Sequence, residues 1–397
     1  MGGETLYRLL EKLSTPSRIL VVHPHMDVVG GSEVLTSLLI ERIKGYVDVC
    51  LLTAGVHPLH KPRLNGVEIV HLDRPRSASR SEAIARVFDG VGRALAECEP
   101  ESLLLMIQEP VYIAVAKSLR PSIPSGIYIH FPLEEEAEKD RLSAFYSMLR
   151  FPNEYIGFYG IADARMTNSA YTASALKALT GLDSSIVYPA VPEEYFSMPE
   201  PKPGDKEPLI VSVGRLVPQK GFHKLLEAFS KVREKYKVNL TIIGVEDPRF
   251  KDYRETLEER AREIGDVDLI VKPMKPVEIA EVLRRALIYV HLRVGEHFGM
   301  SPVEAMSQAT VPVVPRQSGV SELIINGLNG FLLGDDNPSS VAKLLEDLLA
   351  KGVEGLWNTA VRARRTSMFF HPDRYALQVL SHLKLAGAGA WLATGFP

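Results

Sequence analysis

The stretch VGEHFGMSPVEAM, residues 294–306, sets two glutamates, Glu296 and Glu304, on either side of Phe298-Gly299-Met300. Ser301-Pro302-Val303-Glu304 has the make-up of a helix start, with Ser as N-cap, Pro at the first helical position and Glu closing a capping box. On that reading Glu304 is only a cap, and Glu296 and the glycine stay unexplained. A helix start also presents unpaired backbone N–H groups and the positive end of the helix dipole, which suit phosphates and sugar hydroxyls. Gly299 lets the backbone come close to a ligand. One carboxylate on the loop and one a turn inside the helix can then grip separate vicinal diols, the chemistry of a sugar-nucleotide site.

Other stretches offer complementary groups. VSVGRLVPQKGFHKLLEAF places Arg215 and Lys220 between a strand and a helix. Two cations at a helix entrance suit a diphosphate, Arg by planar bidentate contacts and Lys as a compact charge; solvated surface cations are the alternative. In VVHPHMDVVGGSEVLTSLL, Gly30-Gly31 feeds a helix N-terminus, a place where backbone amides meet anions, or simply an ordinary strand-to-helix turn. The same stretch holds His23-x-His25-x-Asp27, a spacing found in zinc hydrolases, although position 28 is Val where a further ligand would stand. A zinc hydrolase is therefore a rival class. GIYIHFP ends a strand on His130, and a lone histidine is most often bonded to backbone. Asp266-x-Asp268 reads as a turn, and Gly90-x-Gly92 sits in a helical stretch rather than after a strand. Residues 145–159, FYSMLRFPNEYIGFY, are either a core-facing aromatic stripe or an amphipathic patch for a membrane interface.

These groups need elements to hold them. At 397 residues the chain exceeds one ordinary core, so two domains are expected. With 46% hydrophobic residues, 24% charged and a net charge of -3, it has a soluble globular composition and no basic signature for nucleic acid. No run of about 18 apolar residues exists to span a bilayer. Cys50 and Cys98 lack a metal-like C-x-x-C partner, which argues against a disulfide framework and fits a reducing cytoplasm. From Arg18 onward, apolar runs such as RILVVH, VDVCLLT, SLLLMIQ and GIYIHF alternate with helical patterns, the mark of a parallel α/β sheet. Six prolines between Pro189 and Pro208 interrupt this alternation, and 191–208 reads as a linker. A second α/β series, 209–370, follows the first, 1–190. The final segment, 371–397, carries a helix that could pack back on the first domain. Ligands of open α/β sheets bind at the carboxyl ends of strands, and the motifs around Gly30, His130, Arg215 and Glu296 each follow a strand.

E-H-F-G-M-S-P-V-E resembles the E-x(7)-E signature of retaining GT-B glycosyltransferases of family 4, and its EHFG form resembles the mannosyltransferases that extend dolichol-linked oligosaccharides. Gly214, Arg215, Lys220 and Gly221 are similar to that family's G-R-x(4)-K-G pattern, GGSE to its GGxE loop, and IHFP and NSAYT to elements of the lipid-linked mannosyltransferases. The resemblance implies two Rossmann-like domains facing each other across a cleft, with the sugar nucleotide held by the second. It implies that Glu296 contacts the donor sugar and Glu304 the ribose hydroxyls, with the amides of Phe298 to Met300 on the sugar. Arg215 and Lys220 would neutralise the departing diphosphate, His130 would face the reacting carbon, and Gly30-Gly31 would close over the donor. It further implies retention of configuration, no required cofactor or metal, and a glycan or lipid-linked acceptor with peripheral contact at the cytoplasmic face of a membrane. GDP-mannose is the donor the EHFG and IHFP matches favour, and a UDP-sugar transferase or a sugar-nucleotide epimerase shares the architecture. In QSGVSELIINGLNGFLL, Val320 replaces a glycine of the family pattern, so no donor contact is assigned there.

Overall fold

The computed structural model describes residues 17–73, 80–132 and 158–393; the 145–159 patch lies outside them apart from its last two residues. The chain divides into two compact units, residues 1–190 with 372–397, and residues 191–371.

The first unit runs β1 (Arg18–Val22), α1 (Gly31–Ile43), β2 (Asp48–Thr53), β3 (Glu68–His71), α2 (Arg80–Cys98), β4 (Ser102–Leu105), α3 (Val111–Leu119), β5 (Ser125–Ile129), β6 (Ala164–Thr167), α4 (Ala170–Thr180) and β7 (Ser185–Ile186). Its strands pair in parallel in the order β3-β2-β1-β4-β5-β6-β7. Their apolar runs are continuous because both faces are covered. Successive side chains go to opposite sides: Ile19, Val21 and Leu51 join one core cluster, Leu20, Val22 and Leu52 the other.

The second unit contains β8 (Glu207–Val213), α5 (Phe222–Arg233), β9 (Asn239–Gly244), α6 (Lys251–Ile264), β10 (Val267–Val271), α7 (Pro276–Arg285), β11 (Ala286–Val290), α8 (Met300–Ser307), β12 (Val311–Pro315), β13 (Phe331–Leu333), α9 (Pro338–Leu349) and α10 (Gly352–Ser367). Its parallel sheet has the order β10-β9-β8-β11-β12-β13. The chain leaves β8 toward β9 and β10, then returns to lay β11 on the other edge of β8. The strand order therefore reverses between β8 and β11, a topological switch point at whose carboxyl end ligands of open α/β sheets bind. The first unit repeats this arrangement at β1 and β4.

The terminal helix α11 (Pro372–Ala393) completes the first unit, inserting Tyr375, Ala376, Val379, Leu380 and Leu383 into the cluster that holds Ile19 and Val21. Residues 191–208, read from their prolines as a linker, are packed into the second unit. Tyr195 is buried there, and the Lys206 ammonium donates to the carbonyls of Ala286 and Gln308 at 2.9 Å each. Burial lowers its pKa to about 7.

One expectation fails. Cys50 and Cys98, judged unpaired from sequence, are joined as a disulfide that ties β2 to the end of α2, and both are fully buried. They lie 48 residues apart, so no local spacing marks the pair; only the docking of α2 on the sheet brings them together.

Candidate active site

The loop after β8 begins at Gly214 and Arg215 and turns through a short 3-10 segment, Pro218–Lys220. Gly221 follows in the left-handed region at φ 71°, so the chain can reverse into α5 without a Cβ penalty. The loop after β11 carries His291, Arg293 and Glu296. These two loops meet: Lys220 forms an ion pair with Glu296 Oε2, and each side chain is more than four-fifths buried. Arg293 Nε lies 3.8 Å and His291 Nε2 3.7 Å from the same oxygen. Burial disfavours the Glu296 carboxylate, but Lys220, Arg293 and His291 outweigh it and hold the carboxyl well below its usual range. Arg215 is on the same loop as Lys220 yet is half exposed and turned toward Asp247, 3.7 Å away, which Arg249 also grips in bidentate fashion.

Helix α8 starts earlier than the Ser-Pro-Val-Glu pattern indicates. Its N-cap is Gly299 at φ 87°, and no side chain caps it. Ser301 consequently falls within the first turn, where its hydroxyl accepts from Tyr289 at 2.7 Å, and no capping box forms. Glu304 instead hydrogen-bonds the Tyr195 hydroxyl, and burial raises its pKa to about 7 against that bond's opposing pull. Glu304 therefore does not close a capping box. Phe298 is buried against Phe370, ring centroids 5.8 Å apart, which fixes the Phe298-Gly299-Met300 bridge. The amides of Gly319 and Val320 donate to the carbonyls of Glu296 and Phe298 at 2.8 and 2.9 Å, so Val320 braces the loop through its backbone.

In the first unit, His130 follows β5 and its Nε2 lies 3.2 Å from the Met106 carbonyl. A carbonyl only accepts, so Nε2 carries the proton and Nδ1 is an acceptor. Burial lowers the His130 pKa to about 4, so the ring is neutral near pH 7. Asn168 of the NSAYT element donates to the His130 carbonyl at 2.8 Å, and Ser169 caps α4, which explains why those residue types follow β6. Gly30 is the N-cap of α1 and Gly31 its first residue. The His23, His25 and Asp27 ligand atoms do not gather: His23 Nε2 faces Glu33 at 3.7 Å, and His25 Nε2 faces Glu109 at 3.7 Å. Among the described residues the one metal-compatible group is Cys50, Glu68 and Cys98, whose sulfurs are committed to each other.

Sequence reasoning missed His291, Arg293, Tyr195 and Asp247. His291, Arg293 and Asp247 follow the strands β11 and β9 within three residues and were open to the rule that gave priority to such positions; Tyr195 reaches Glu304 only through folding.

Two parallel α/β sheets of this strand order are the GT-B fold of glycosyltransferases, and residues 196–365 match the glycosyl transferases group 1 family. The chain resembles the dolichol-pathway mannosyltransferases: it is 25% identical to mouse (Mus musculus) alpha-1,3/1,6-mannosyltransferase ALG2 over 96% of this chain and 99% of that protein. Its human (Homo sapiens) counterpart is 24% identical over 94% and 97%. The fold is shared with Anabaena Alr3699/HepE, solved with UDP and glucose, at a TM-score of 0.75 and 16% identity over 91% of this chain and 98% of that one. No described helix is long and apolar enough to cross a membrane.

Proposed function

We propose that this glycosyltransferase moves mannose from GDP-mannose, with retention of configuration, to a hydroxyl of a lipid-linked saccharide. The observation that carries the reading is the joining of Lys220 and Glu296 at the β8–β11 switch point, with Glu304 one turn inside α8. The likeness to the ALG2 mannosyltransferases, which extends over nearly the whole of both chains, supports mannose as the sugar.

Each group does what its state allows. Glu296, held ionised, accepts a sugar hydroxyl. Glu304 accepts the ribose hydroxyls. Lys220, Arg215 and the amides at the start of α8 stabilise charge developing on the leaving diphosphate, an effect worth several kcal/mol in water-excluded sites. His130, in the first unit, is neutral near pH 7 and cannot act as an acid there. Glu296 is engaged by cations and serves as a hydroxyl acceptor, so transfer proceeds by front-face displacement through an oxocarbenium-like state rather than a glycosyl-enzyme.

A thermal-shift panel of GDP, GDP-mannose, UDP and UDP-sugars tests the donor, because a ligand at 100 times its dissociation constant stabilises by about 2.7 kcal/mol. GDP and GDP-mannose should raise the melting temperature. Stabilisation by UDP compounds alone overturns the guanine assignment, and a changed sugar nucleotide in the absence of acceptor identifies an epimerase instead. NMR of the anomeric proton in the first-formed product reads retention directly.

A further inference from the structure

We propose that Tyr195 is a positioning residue for the donor: its hydroxyl, aimed by a second grip on the same side of α8, holds the Glu304 carboxylate as an ionised acceptor for the ribose. The proposal rests on the sugar-nucleotide reading above.

Tyr195 ends the short 3-10 turn Glu193–Tyr195, which packs on α7, and it is buried. It meets α8 at two points. Its hydroxyl is bonded to Glu304, and its backbone carbonyl accepts from Gln308 Nε2 at 2.5 Å. Gln308 is the C-cap of α8, four positions after Glu304, so both stand on one side of the helix. Lys206, from the same segment as Tyr195, donates to the Gln308 carbonyl at 2.9 Å, so two residues of 191–208 clasp the end of α8. With its carbonyl pinned, Tyr195 has only its side-chain torsions left to place the phenol oxygen, and they bring it to Glu304.

Two opposed influences set the ionisation of Glu304: burial pushes its pKa up to about 7, and the Tyr195 bond pulls it down. Tyr195 keeps its proton, because burial and the neighbouring Glu304 charge both raise its pKa. It is therefore the donor in this bond, and a bond donated to a carboxylate favours the ionised form. The groups around the pair do not take over that task. Tyr289 of β11 is kept protonated by burial and spends its hydroxyl on Ser301 at 2.7 Å. Glu194, on the turn beside Tyr195, adds a further negative charge near the phenol. Arg364 of α10 donates to the Ser307 carbonyl and is a permanent charge. Lys206, whose pKa is about 7, titrates in the same range as Glu304.

Calorimetric titration with GDP and with UDP from about pH 6 to 8.5 tests this in wild type, Tyr195→Phe, Glu304→Gln and the Tyr195→Phe/Glu304→Gln double variant, each with its melting temperature. Without the hydroxyl the carboxyl should take up its proton about one pH unit higher. Wild type should then bind less than about twofold more tightly than Tyr195→Phe at pH 8.5 and about tenfold more tightly at pH 6. That ratio cancels the titration of the nucleotide phosphates and of Lys206, which both proteins share. In the Glu304→Gln background, removing the hydroxyl should change affinity less than about twofold at every pH. A loss in Tyr195→Phe that is the same at every pH overturns the proposal, because Tyr195 would then only support the fold. So does the absence of any loss at pH 6, or a larger loss in the Glu304→Gln background. If Tyr195→Phe alone does not fold, the double variant decides: a folded protein matching Glu304→Gln in affinity supports the proposal, since the hydroxyl is then needed only where the carboxylate is present. A double variant that does not fold, or that binds more weakly than Glu304→Gln, overturns it. Wild-type protein that binds neither nucleotide removes the sugar-nucleotide reading and the proposal with it, whereas binding with one pH dependence in wild type and Tyr195→Phe removes only the role of Tyr195.

Discussion

Glu296 and Glu304 are the same residue type eight positions apart, and the fold drives their ionisation in opposite directions. Glu296 meets three basic side chains and is held ionised; Glu304 meets a tyrosine in a desolvated position and titrates near pH 7. Because its folded-state pKa lies above the ordinary 4.5, the stability contributed by Glu304 is full below about pH 4.5 and is lost as pH rises through about 7. On the proposed role the ribose hydroxyls donate to the ionised form, so donor binding should release a proton and tighten as pH rises toward 8. Below pH 7 each unit should cost up to about tenfold in affinity. Titration calorimetry from pH 5.5 to 8.5 measures this, and Glu304→Gln should flatten the profile while preserving the fold. A flat wild-type profile refutes the ribose role. The two glutamates and Lys220 were legible as candidates because their spacing survives in the chain. Their charge states were not, since these depend on Tyr195 and Arg293 arriving from elsewhere or turning inward.

Among the elements, α8 shows how one backbone angle relocates a motif. Gly299 at φ 87° starts the helix before Ser301, and a Cβ there would lie 3.4 Å from Glu296 Cγ. Gly299→Ala should cost about 1–3 kcal/mol in a denaturant titration from backbone strain and raise the donor KM as the strained start of α8 shifts. An unchanged KM would detach the glycine from the site. The capping-box pattern was misread because local preference for Ser at the N-cap is weak beside a glycine already in a conformation that ends the preceding loop. The link between β2 and α2 belongs at the same level. Cys50–Cys98 closes 48 residues, for which loop entropy gives up to about 4 kcal/mol. Denaturant midpoints with and without a reductant should differ accordingly. Equal midpoints under conditions that reduce the bond remove it as a source of stability.

Across the whole chain, the first unit is built from segments at both ends of the sequence. Leu380 of α11 is fully buried in the core cluster with Ile19 and Leu38, so Leu380→Ala should lower stability by about 2–5 kcal/mol in urea denaturation. A loss below 1 kcal/mol would mean that α11 is only loosely docked. The sequence alone determined the two α/β series and the placement of the motifs around Gly30, His130, Arg215 and Glu296 after strands, because hydrophobic periodicity and glycine turns act over a few residues. It also determined the residue types of the candidate site. Tertiary structure alone decided that Lys220 meets Glu296, that residues 191–208 pack as part of the second unit and lend Tyr195 to Glu304, that Cys50 finds Cys98, and that the histidines near Asp27 do not converge on a metal. Those outcomes depend on distances between residues remote in the chain, which strand order and helix docking set and local patterns do not encode.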